Sequence, residues 1–77
     1  MMNKPTIDLI KRVLKMRPEI IEITTGDYHI TVAGRDAYML YPFIFVGHAE
    51  ERFRGKLINN NAELIINLDE IDIFKFM

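Results

Sequence analysis

Residues 37–46 read AYMLYPFIFV, the longest unbroken apolar run in the 77-residue chain, and the rest of the sequence reads as its surroundings. A run of this length reaches about half of what a helix needs to cross a bilayer. Its aromatic and β-branched residues, with a proline among them, argue against a buried helix. The run therefore predicts a strand. Both alternating sets, Ala37/Met39/Tyr41/Phe43/Phe45 and Tyr38/Leu40/Pro42/Ile44/Val46, are apolar, so the core should cover one face and a helix or partner the other. Pro42 lacks an N–H and marks an edge, a bend or a bulge within it.

N-terminal to this run, residues 6–17 place Ile7, Leu9, Ile10, Val13, Leu14 and Met16 on one half of a helical wheel and Asp8, Lys11, Arg12 and Lys15 on the other. That pattern predicts an amphipathic helix with Thr6 as N-cap, Asp8 in the first turn, Lys15 and Arg17 in the last, and Pro18 as its stop. Residues 19–25 (EIIEITT) and 28–33 (YHITVA) read as strands joined through Gly26 and Asp27. A two-residue Gly-X loop between such strands predicts a type II′ hairpin, because glycine supplies the positive φ that matches strand twist.

Gly34, Arg35 and Asp36 form the next turn. Beyond the apolar run, residues 47–53 (GHAEERF) read as irregular or briefly helical, 53–59 as a strand weakened by Gly55, Asn60 and Asn61 as a tight turn, and 62–68 and 71–76 as strands separated by Asp69 and Glu70. One helix followed by five or six short strands, with no second helical pattern long enough for a parallel crossover, predicts a single α+β domain over 1–77. The helix packs on an antiparallel sheet that either stays open or closes into a small SH3-like barrel.

The order of elements, ending in strand, short turn and terminal strand, resembles the small SH3-like barrels and most closely the Sm-like RNA-binding family, which also begins with a helix. The likeness lies in the order of elements. Where that family's first motif has Asp and Asn, this chain has Asp36 and Met39; where its second has Arg-Gly, this chain has Asn67 and Leu68. No RNA-binding residue carries over on those positions, and a shared topology does not by itself imply a shared function.

Composition narrows the chemistry. The 49% hydrophobic and 27% charged residues describe a folded globule, and a chain of this size holds roughly 4–12 kcal/mol of net stability. There is no Cys, Ser, Gln or Trp, which removes disulfides, thiolate metal sites and the two commonest nucleophiles. Lys4, Lys11, Arg12, Lys15 and Arg17 interrupt the only apolar N-terminal segment, so the reading is a soluble, cytoplasmic protein without secretory signal or membrane span.

His29 and His48 stand alone, the carboxylates Asp69, Glu70 and Asp72 lack the spacing of a calcium loop, and the four glycines form no phosphate loop. These patterns predict no catalytic residues, no metal and no cofactor. Charge is uneven: residues 1–18 carry a net +4 and residues 19–77 a net −5, together the −1 of the chain.

The leading expectation is a non-enzymatic protein-interaction or regulatory module that self-associates as a homo-oligomer, or caps another protein, through the apolar strand, with Tyr38, Leu40 and Ile44 at the interface. The alternative is a nucleic-acid-binding domain using Lys11, Arg12 and Lys15 of the helix with Arg52, Arg54 and Lys56 of a strand face.

Overall fold

The computed structural model describes residues 4–77. Helix α1 spans Ile7–Met16 and is capped as its sequence predicts, with the Leu9 amide donating to Thr6 Oγ1 at 3.1 Å. Arg17 closes it in the left-handed region at φ 49°, its amide donating to the Leu14 carbonyl. Ile10, Val13 and Leu14 are buried at the i, i+3, i+4 spacing that points one stripe at the sheet. The buried stripe is narrower than the apolar half-wheel, since Ile7, Leu9 and Met16 stay exposed.

Six strands follow: β1 Ile20–Thr25, β2 Tyr28–Ala33, β3 Ala37–Leu40, β4 Phe43–Phe53, β5 Lys56–Asn67 and β6 Ile73–Phe76. All pairings are antiparallel, in the order β3-β4-β2-β1-β6, with β5 pairing β4. The first hairpin turns through Gly26 at φ 56°, with Thr25 opposite Tyr28, as its Gly-X loop predicts.

The apolar run is not one strand. It reverses direction at Tyr41 and Pro42, whose peptide bond is cis, and folds into the hairpin β3–β4 with Leu40 opposite Phe43. Alternation along a sequence carries no sign of a reversal when both arms are apolar on both faces, and Pro42 is its one local mark. The stretch 47–53 is strand and not helix or irregular chain, because it completes β4 against β2 and β5.

Asn60 and Asn61 make no turn either: β5 runs through them unbroken. Its hairpin with β4 turns instead at Arg54 and Gly55, both at positive φ (49° and 81°), the backbone pattern of a type I′ turn.

The strands β2 and β3 act as one bent strand along the same long partner. Residues 28–31 pair with 50–53 and residues 37–40 with 43–46 of β4, and a 3-10 turn over Gly34–Asp36 lies between. Across from that turn β4 bulges, with His48 in the left-handed region at φ 50°. Gly34 approaches Pro18 so closely that a Cβ there would stand 2.0 Å from the Pro18 carbonyl oxygen.

The resulting sheet curls into a half-barrel that stays open among the described residues, where β5 pairs only with β4 and β6 only with β1. Its concave side holds Ile21, Ile23, Ile30, Val32, Ile44 and Val46, onto which Ile10 and Leu14 of α1 and Ile66, Leu68 and Ile71 close. No helix among the described residues is long and apolar enough to cross a membrane.

Candidate functional site: the outer face of β3, β4 and β5

Because side chains alternate across a strand and cross-strand partners share a face, the β3–β4–β5 register builds two rows on the side away from the helix. Tyr38, Phe45 and Ile65 form one row; Leu40, Phe43 and Asn67 form the next. Tyr38, Leu40 and Ile65 are 60%, 62% and 64% exposed, whereas Ile44 and Val46 on either side of Phe45 point into the core. The Tyr38 and Phe45 rings stack, with centroids 5.1 Å apart and planes 8° from parallel. Five large apolar side chains thus lie together on one sheet face, Phe45 half-buried and the other four exposed.

Of the interface residues expected from sequence, Tyr38 and Leu40 sit on this face and Ile44 does not. Ile44 has no exposed surface and belongs to the core. The turn at Pro42 is the reason: partners across the β3–β4 hairpin have opposite parity, so even-numbered residues of β3 share a face with odd-numbered residues of β4. Phe43, Phe45 and Ile65 replace Ile44 on that face. The signal that would have found them is Pro42 read as a chain reversal.

The other half of the outer face is polar. Glu22, Thr24 and His29 form a hydrogen-bonded chain across β1 and β2, His29 Nε2 to Glu22 Oε1 at 3.2 Å and His29 Nδ1 to Thr24 Oγ1 at 3.3 Å. Carboxylate, imidazole and hydroxyl in this order have the connectivity of an activated nucleophile, a feature not visible from His29 read alone. Beside it Arg52 pairs with Glu50 at 3.0 Å. At the bulge, His48 Nδ1 lies 3.0 Å from Asn61 Oδ1.

The basic residues fall into two separate places. Lys11, Arg12 and Lys15 are exposed on α1, which lies against β3. Arg52, Arg54 and Lys56 lie around the β4–β5 turn, which abuts the β1–β2 turn: the Arg54 amide donates to the Asp27 carbonyl at 2.9 Å and its guanidinium reaches Asp27 Oδ2 at 3.3 Å. Arg54 also lies over the Phe53 ring. Arg52 and Arg54 are therefore partnered by carboxylates, while none of the ion pairs among the described residues involves Lys11, Arg12 or Lys15.

Of the acidic residues near the C-terminus, Asp72 ties its side chain to a turn and Asp69 is held through its backbone. The Asp72 carboxylate accepts from the Gly26 amide at 2.9 Å, the Asp69 amide donates to Asn67 Oδ1, and Lys4 Nζ donates to the Asp69 carbonyl. Among the described residues no group of three or more His, Asp or Glu side chains is placed to hold a metal ion. No protein-family model, no curated protein and no solved structure matches this chain.

Proposed function

We propose that the protein is a non-enzymatic interaction module whose outer sheet face pairs with the same face of a second copy. The observation that supports this reading is the uncharged patch of Tyr38, Leu40, Phe43, Phe45 and Ile65 on a face that no other element among the described residues covers. Burying one large apolar side chain contributes roughly 1.5–3 kcal/mol, so covering three that are more than half exposed returns several kcal/mol to a domain with little reserve. A two-fold contact sets each patch against itself, and a patch without charge meets its copy without like-charge repulsion. Sedimentation equilibrium at micromolar concentration tests this: the expected mass is twice that of the chain, and a monomer at all concentrations overturns it.

A second reading, nucleic-acid binding, draws support from the unpartnered cations of α1. Against it stand the carboxylate partners of Arg52 and Arg54 and the separation of that corner from the helix. Phosphate contacts weaken steeply with added salt while apolar burial does not, so retention on a single-stranded oligonucleotide column as salt is raised distinguishes the two readings.

A further inference from the structure

A groove of about 490 Å³ runs between α1 and β3. One wall is Lys11, Leu14, Lys15 and Arg17; the other is the consecutive residues 37–41. Successive residues of a strand point to opposite faces, so a groove touching all five follows the strand's edge. Among the described residues that edge is open, since β3 pairs with β4 alone and no hydrogen bond joins 37–41 to the helix. An unpaired edge presents backbone N–H and C=O groups in register for another strand.

The charge of the groove selects the strand it would take. Lys11, Lys15 and Arg17 supply three cations at its rim, none of them in an ion pair among the described residues, and no carboxylate lines it. Its floor is apolar where Leu14, Ala37 and Met39 meet. We propose that this groove binds an extended acidic segment of a partner protein, added as a strand to the free edge of β3. Backbone hydrogen bonds to β3 hold the segment, one alternate set of its side chains enters the apolar floor, and the acidic set between them lies along the rim, drawn there by the positive field of Lys11, Lys15 and Arg17. The site is separate from the apolar patch in its chemistry and borders it only through Tyr38 and Leu40.

A capped, fluorescein-labelled hexapeptide of alternating Glu and Val is the probe, titrated into the full chain and followed by anisotropy. Expected is saturable binding that falls on the order of tenfold in the Lys11→Glu/Lys15→Glu variant. The variant's circular dichroism and sedimentation mass stay at parent values, and its melting temperature falls by only a few degrees, since Lys15 lies in the last turn of α1 where the helix dipole favours a cation. Peptides N-methylated on one or the other alternate set of amides should differ, one set binding like the parent peptide and the other not at all, because only one set faces the strand edge. The proposal is overturned by absence of binding, by equal binding to the charge-reversed variant, by equal effects of the two methylation sets, or by a short oligothymidylate displacing the peptide at lower concentration. The sedimentation mass of the parent decides the homodimer reading independently of all these outcomes.

Discussion

The Tyr38 ring lies flat against the Phe45 ring, centroids 5.1 Å apart, on the sheet face opposite Ile44. Tyr38 and Ile44 should therefore respond differently to an introduced charge. Tyr38→Lys puts a charge on an exposed position and should leave folding intact while shifting the sedimentation mass from dimer to monomer. Ile44→Lys buries an unpaired ammonium in a fully enclosed site and should abolish the cooperative melt. If both variants stayed folded and dimeric, the outer face would not be the interface.

Docking of the helix rests on Ile10, Val13 and Leu14. Leu14→Ala should lower stability by about 2–4 kcal/mol, a large share of what a domain of this size holds. Urea denaturation measures it; a midpoint equal to the parent's would mean that α1 contributes nothing to the core.

Gly34 is required by space, since a Cβ at this position would collide with the backbone of Pro18, whose carbonyl also accepts the Gly34 amide at 2.9 Å. Gly34→Ala should cost about 1–3 kcal/mol, because a backbone neighbour cannot swing aside as a flexible side chain can. Gly47→Ala, with open space around its Cβ position, is the control, and its melting temperature should fall less.

The helix N-terminus depends on one side chain. Thr6→Ala removes the acceptor of the Leu9 amide and should cost about 1 kcal/mol, whereas Thr6→Asp or Thr6→Ser should retain most of it. Equal melting curves for Thr6→Ala and the parent would show that water replaces the cap without penalty.

Local signals carried the helix, its Thr6 cap, the Gly26 hairpin and the α+β class. Each depends on neighbours a few residues apart: the 3.6-residue spacing of Ile10, Val13 and Leu14, a hydroxyl three residues before an amide, a glycine free to take positive φ. Sequence and structure part where one local pattern fits two conformations. The polar run 47–53 is strand because β2 and β5 pair with it on either side, and the type I′ turn falls on Arg54 and Gly55 although Asn60 and Asn61 carry the stronger turn composition.

By itself the sequence determined that residues 37–46 lie in a sheet with more apolar surface than one face of a core needs. Only the tertiary structure decided which side chains hold that surplus, because the reversal at Tyr41 and Pro42 exchanges the parity of the two arms and sends Ile44 inward while bringing Phe45 beside Tyr38. The separation of the helix cations from the Arg52 to Lys56 corner was likewise a matter of tertiary placement. Charges distant in sequence acquire a common surface, or fail to, through strand order alone, and here β4 ends beside the β1–β2 turn while α1 lies against β3.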